Sequence, residues 1–317
     1  MQKILVKFVN FMNQKDFSGL IQSSENYINE NTKDLFKICL EELNLKLDKE
    51  ELIELLKSEF IPIYLQLLII FQKKKDTVVL GIAGVNGSGK TTLARFLSLL
   101  LQKDGHYTIN FSMDDLYPTK KERLELANDI DPSLETRLMY DNVLVKRIFD
   151  SLHSYEGLIS IPKFDKSIDD RFPENKWQKV EKKPDFVIIE GVFTFAQPIF
   201  VEKLSKIDQY INSKVGELSD SYNFMDFKIA LLAESVENVI QFRQQQEKEL
   251  RKEKGNNFGM THHEVERFIL YFKTYLQRYT WPLEYNPIID FVYIFNSKRK
   301  ITKISSPKFN IIHRNLL

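Results

Sequence analysis

Between Lys33 and Phe60 the apolar residues recur three and four positions apart: Phe36, Leu40, Leu43 and Leu47, then Leu52, Leu55 and Leu56. That spacing gathers them on one side of a helix and leaves the intervening Lys and Glu on the other. Up to about residue 75 the chain has Gly19 as its one glycine, so the stretch reads as a few amphipathic helices without chemistry of their own. The densest apolar run, FIPIYLQLLIIF (Phe60–Phe71), is 12 residues long and contains Pro62 and Gln66. It is too short to cross a bilayer. The polar QKKKD at 72–76 closes this segment. The expected division is a helical N-terminal segment, 1–75, packed on a second domain, 76–317.

From Thr77 the texture changes. TVVLGIA is a short β-branched run of the kind that forms a buried parallel strand. TTLARFLSLLLQK then has helical spacing, and YTINFS, FVIIEG, DFKIALLA and DFVYIF supply four more strands, most of them separated by helical stretches. Strands alternating with helices predict an α/β domain whose mainly parallel sheet is covered on both faces. No internal repeat is present. The tail from Lys298 carries six Lys or Arg and no acid, and is expected to be solvated and partly ordered rather than a nucleic-acid arm.

The segment after the first strand, Gly84-Val85-Asn86-Gly87-Ser88-Gly89-Lys90-Thr91, matches the P-loop pattern. The glycines permit turns that point successive N–H groups inward at phosphate oxygens. The helix starting near Gly89 adds its free N–H groups and dipole. Lys90 is expected at the β- and γ-phosphates and the Thr91 hydroxyl on Mg²⁺. Residues Gly84 to Thr92 are therefore the expected nucleotide-binding set, with ATP and Mg²⁺ the expected cofactors.

Two carboxylate sites lie further along the chain. FSMDDLYPT puts Asp114 and Asp115 just past the end of the second strand, at the edge where parallel sheets bind ligands. Adjacent residues on an extended chain face opposite ways, so one can look toward the phosphates while the other caps the next turn; both acting as caps is the competing reading. DFVIIEG ends in Glu190, a Walker B-like acid placed to hold Mg²⁺ directly or through water.

Composition limits the partners. The 317 residues carry a net charge of +1, which disfavours a protein built around nucleic acid. A lone cysteine, Cys39, cannot form an internal disulfide and fits a reducing compartment. Lys7 interrupts the apolar start and no small-residue cleavage site comes after it, so no signal peptide is expected. The expectation is a cytoplasmic protein without a membrane span.

In this order the motifs resemble those of the phosphoribulokinase, uridine kinase and pantothenate kinase superfamily, and within it the D-glycerate 3-kinase family. SMDDLYPT is similar to that family's S-x-D-D-F-Y-L-T. IPKFDKSIDDR (161–171) is similar to its P-R-(F/Y)-D-K-S/A segment, which runs on to a Trp, here Trp177. FRQQQEKELR (242–251) is similar to its W-R-x-x-Q-E lid helix, and GMTHHEVERF (259–268) to its G-M-S/T-D-x-x-V-x-x-F. The likeness covers roughly residues 77–300. It implies a three-layer P-loop NTPase fold with a helical lid, here with a helical N-terminal extension. Asp114 then matches the general base, Glu190 the Walker B acid, Lys90 and Thr91 the P-loop pair, and Arg243 and Arg251 basic positions of the lid. A lid arginine would neutralise charge on the transferring phosphoryl group; a plain solvated face with i,i+4 pairs is the other reading of that helix.

The departures fall on the acceptor side. ETRLMYD stands where the family has a Gly/Thr-His-Asp element, leaving Arg137 and Asp141. Val192 replaces a Trp after the Walker B Gly, Phe242 replaces the lid Trp, and His262 and His263 stand where acids are common. Within PKFDKSIDDR, Lys163, Lys166 and Arg171 interleave with Asp165, Asp169 and Asp170. Mixed charges of this kind suit a small polyhydroxy acid, with cations for its carboxylate and acids for its hydroxyls; a salt-bridged surface loop is the alternative. Asp115, Tyr117, Lys163, Asp165, Lys166 and Arg171 are the candidate acceptor residues. Tyr117 and Phe164 are weak candidates for stacking a nucleoside base. Thr261 and Glu264 form a capping box, and the adjacent histidines are not spaced as a metal site. The expected function is an ATP-dependent kinase of a small anionic hydroxy acid. The rivals are a kinase of a nucleoside or of a pantothenate-like acceptor, and a nucleotide-binding regulator without turnover.

Overall fold

Strand β1 (Val78–Gly84) is buried along its whole length, as a strand flanked on both edges and covered on both faces must be. The computed structural model describes residues 17–166, 168–255, 259–309 and 311–313. After β1 come α4 (Lys90–Lys103) and β2 (Thr108–Ser112), preceded by α1 (Phe17–Lys37), α2 (Lys49–Leu55) and α3 (Ile61–Lys74). Next are α5 (Lys120–Asp129), α6 (Asn142–Ser154) and four short strands, β3 (Ile159–Ile161), β4 (Phe164–Asp165), β5 (Asp170–Arg171) and β6 (Gln178–Val180). The core resumes with β7 (Phe186–Gly191), α7 (Lys206–Ser219), β8 (Phe227–Ala233), α8 (Val236–Lys254), α9 (His262–Tyr275) and β9 (Phe291–Phe295). It closes with β10 (Ile301–Ser306) and β11 (Ile311–His313).

The main sheet runs β11-β10-β9-β8-β1-β7-β2. The five strands expected from sequence are all present and pair in parallel. The basic tail departs from expectation. Past Arg299 it turns back as β10 and β11, antiparallel additions to the sheet edge. Ile304, Ser305 and Ser306 are all buried there, where β10 is flanked by β9 and β11. Residues 314–317 and the chain start through 16, including the segment read for a signal peptide, lie outside the described residues.

The N-terminal helices pack on this sheet. Helix α3 is buried on every side from Ile61 to Ile69, which is why its sequence is apolar all round. A π-type turn, Leu56–Phe60, joins it to α2. Phe60 meets Phe96 of α4 with ring centroids 4.6 Å apart, and Phe71 meets Phe186 of β7 at 4.9 Å. Helix α3 stops at Lys75, which adopts a left-handed conformation (φ 54°) and donates its N–H to the Phe71 carbonyl. Among the described residues no helix is long and apolar enough to cross a membrane.

Candidate active site

Strand register brings the site together. Glu190 of β7 lies level with Ile82 of β1 on one side and Ser112 of β2 on the other. The P-loop leaves β1 two residues after Ile82, and Asp114 comes two residues after Ser112. Three strand ends therefore deliver the cradle, the Walker B acid and the candidate base to one corner. The strand next in sequence, β2, is not the neighbour of β1; β7 lies between them, and Asp114 reaches the cradle across it.

Within the cradle, Gly87 has φ 74° and Gly89 φ 95°, conformations that side-chain-bearing residues rarely hold. A Cβ on Gly87 would lie 2.9 Å from the Cβ of Phe242, so the lid helix α8 is docked directly on the loop. A Cβ on Gly89 would meet nothing within 4 Å: the loop is open there. Among the described residues the buried Asn86 Oδ1 and Ser88 Oγ have no hydrogen-bond partner. Lys90 is 7% exposed and donates to the Val85 carbonyl at 2.9 Å. Thr91 donates its hydroxyl to Glu190 at 2.9 Å. Open backbone, the unpaired Ser88 hydroxyl and a buried ammonium are what a polyphosphate would engage. Mg²⁺ takes few protein oxygens and completes its shell with phosphate and water, and the Thr91–Glu190 pair is a donor set of that kind.

The electrostatics are coupled. Burial lowers the Lys90 ammonium pKa, against the pull of Glu190 and Asp114. Burial raises the Glu190 carboxyl, reinforced by Asp114 and opposed by Lys90. For Asp114 burial pushes upward, but Lys166, Lys90 and the Tyr117 hydroxyl together outweigh it and hold the carboxyl below its usual range. Lys166 sits 3.0 Å from Asp114 Oδ2, and Tyr117 donates to Oδ1 at 3.2 Å.

Asp115 is turned the other way. Its carboxylate accepts from the Phe164 N–H at 3.0 Å and from Lys163 at 3.1 Å, and completes a capping box with Ser112. It ties the segment after β3 to the end of β2. Arg171 donates to the Tyr117 carbonyl at 2.7 Å and to Asp141 at 3.1 Å, and Asp141 also caps α6. Asp165 pairs in register with Asp170 across the β4–β5 hairpin. Of the candidate acceptor residues, then, Tyr117 and Lys166 are brought to Asp114, while Asp115, Lys163 and Arg171 frame the hairpin that carries Lys166. Ser167, inside this motif, lies outside the described residues.

Sequence reasoning missed Arg123, which is 2% exposed and donates to Asp169 at 2.7 Å. Arg137 joins it on Asp169 at 3.1 Å, and both guanidiniums lie over the Phe164 ring. Nothing in KKERLELAND distinguishes Arg123 from its solvated neighbours. Tyr140, stacked on Tyr117 with centroids 5.4 Å apart, was also missed. On the lid, Arg243 pairs with the buried Glu247 and donates to Gln246 at 2.8 Å. Arg251 donates to the Met260 carbonyl. The Thr261–Glu264 capping box is formed and starts α9. Among the described residues no cluster of three or more His, Cys, Asp or Glu is placed to hold a metal.

A mainly parallel sheet, a P-loop and a Walker B-like acid at its carboxyl edge define an α/β P-loop NTPase fold. No protein-family model matches the chain. It is 29% identical over 214 residues to an uncharacterised kinase, mug58, of Schizosaccharomyces pombe, covering 60% of this chain and 76% of that one. It is 24% identical over 235 residues to the chloroplastic D-glycerate 3-kinase of Arabidopsis thaliana, covering 66% of this chain and 51%, about half, of the plant protein. The solved D-glycerate 3-kinase of Cryptococcus neoformans superposes with a TM-score of 0.65 at 22% identity, over 77% of this chain and 96% of that one. The chain is an ATP-dependent P-loop kinase with glycerate kinase-like relatives.

Proposed function

We propose that this kinase transfers the γ-phosphoryl group of ATP to a hydroxyl of a small, anionic hydroxy acid such as glycerate. The observation that carries this reading is the position of Asp114: held ionised, partly exposed, electrostatically coupled to Lys90 and Glu190, and paired with Lys166. In the reaction the acceptor oxygen bonds to the γ-phosphorus while the bond from that phosphorus to the β–γ bridging oxygen breaks. Asp114 takes the hydroxyl proton and ADP departs. Lys90 stabilises charge on the transferred group from within the cradle, and Arg243 is the lid cation for the same charge. Thr91 and Glu190 would hold Mg²⁺, directly or through water, and the ion would supply charge neutralisation to the phosphates. Lys166 offers the acceptor's carboxylate a cation beside the base, which favours an acid over a neutral alcohol. The helical segment 1–75 is proposed as an accessory layer on the kinase domain 76–317.

The test is a coupled ADP-release assay over glycerate, uridine and pantothenate, with wild type and Asp114→Asn. Turnover with the hydroxy acid alone supports the proposal, with Asp114→Asn losing at least about 100-fold in kcat while still binding ATP. Preferential turnover of uridine or pantothenate would replace the acceptor assignment. Nucleotide binding without turnover of any acceptor would mark a regulatory protein.

A further inference from the structure

A cavity of about 1140 Å³ opens beside the outer lip of the P-loop. Ser88, Gly89 and Thr92 line it; Lys90, Thr91, Asp114 and Glu190 do not. The reacting end of a nucleotide therefore lies on the far side of the cradle, and the cavity is where the sugar and base emerge. Its size is ample for a nucleoside. One wall comes from α8 and the β9–β10 loop, where the Arg299 guanidinium lies over the Phe242 ring at 5.2 Å. The opposite wall comes from the N-terminal segment: Leu45, Leu47 and Leu55 present apolar surface, and Glu59 stands among them.

Glu59 is the anomaly. It is 3% exposed, and no hydrogen bond or ion pair reaches its carboxyl among the described residues. Burial pushes its pKa up to about 8, which favours the neutral carboxyl. A buried polar group without a partner is rare in folded proteins and calls for a missing one. A neutral carboxyl presents one donor and one acceptor side by side. The Watson–Crick edge of adenine presents the complement, an N6 amino donor beside the N1 acceptor.

We propose that the N-terminal segment completes the nucleotide pocket and that Glu59 reads the adenine base, accepting from N6 and donating its O–H to N1. The inference rests on the functional reading above, in which a nucleotide fills the cradle. Glu59 is thus a specificity residue on an element remote in sequence from every phosphate-binding motif. The packing of α3 against the sheet gains a functional reason, since it fixes the wall that carries Glu59.

Calorimetric titration with ATP and with inorganic tripolyphosphate, which has no base, tests this on wild type, Glu59→Gln and Glu59→Met. The Gln amide keeps one donor and one acceptor; Met keeps the volume and loses both. Glu59→Met should bind ATP about tenfold or more weakly, the loss expected for two hydrogen bonds, with tripolyphosphate unaffected. Glu59→Gln should retain ATP affinity. Wild-type affinity for ATP should fall as pH rises through about 8, while Glu59→Gln stays flat. The titratable and charged groups that share the site are Lys46, Glu51, Glu54, Glu247, Lys248, Glu249, Arg251, Lys252, His262, Lys298, Arg299 and Lys300, with Tyr293 of β9 coupled to Glu59. All are common to the three proteins, so the difference between profiles isolates Glu59. ATP affinity unchanged in Glu59→Met, or tripolyphosphate binding lost in parallel with ATP, would overturn the inference while leaving the kinase reading intact. A wild type that binds neither ligand would overturn both.

Discussion

Asp114, the proposed base, has its readiness set by its neighbours. Burial by itself would protonate it more easily; Lys166, chiefly, reverses that. Lys166 is exposed while Asp114 is partly so, so their pair is worth little to stability, and its consequence is chemical. A carboxyl with a depressed pKa is ionised down to lower pH, so activity that needs the anion persists further into acid. Removing the cation in Lys166→Met should move the acid limb of kcat/KM to higher pH and raise KM for the acceptor, with KM for ATP unchanged. A pH–rate profile between about pH 4 and 8 reads this; an acid limb that stays in place would show that Lys166 does not set the base.

At the scale of elements, the β4–β5 hairpin is the proposed acceptor-side device, and a charge cluster around the buried Arg123 holds it. Asp169, with φ 56°, receives Arg123 from α5 and Arg137 from the loop before α6. Arg123 keeps one further bond, to the Asp169 carbonyl at 2.7 Å. Asp169→Ala would leave a buried guanidinium short of its anion, for a loss of about 1–3 kcal/mol in urea denaturation. It should also loosen the hairpin carrying Lys166, raising acceptor KM while leaving ATP affinity alone. A stability loss with unchanged acceptor KM would confine Asp169 to the scaffold. The lid contrasts with the hairpin. Phe242 packs against Gly87, so the start of α8 is fixed to the cradle, whereas Arg251 is anchored further out, to Met260.

For the molecule as a whole, the N-terminal layer and the sheet share one apolar core that runs from Leu20 to Ile304. Phe60, 3% exposed and stacked on Phe96, stands at their seam. Phe60→Ala should cost about 3–5 kcal/mol, and wild type and variant should each unfold in one transition seen alike by circular dichroism and fluorescence. An early, separate transition in the variant would show that the N-terminal layer comes away independently.

Much of the site was legible because its signals are local. The P-loop spells its own backbone: glycines where φ is positive, then a lysine and a hydroxyl on the first helical turn. FVIIEG announces a strand buried on both faces and an acid at its end, and five such strands foretell a parallel sheet. Asp114 and Asp115 do face apart, though on a short 3-10 turn, Met113–Leu116, and not on the extended chain that was expected. What sequence could not say was which faced where, that β7 lies between β1 and β2, or that Arg171 and Asp141 pair with each other. Nor did it mark Arg123 as buried, turn the basic tail into two strands, or bring Glu59 of a helical layer beside the nucleotide cradle. Those facts depend on contacts between residues tens to hundreds of positions apart, and they are decided only when burial and hydrogen bonding are satisfied over the entire chain at once.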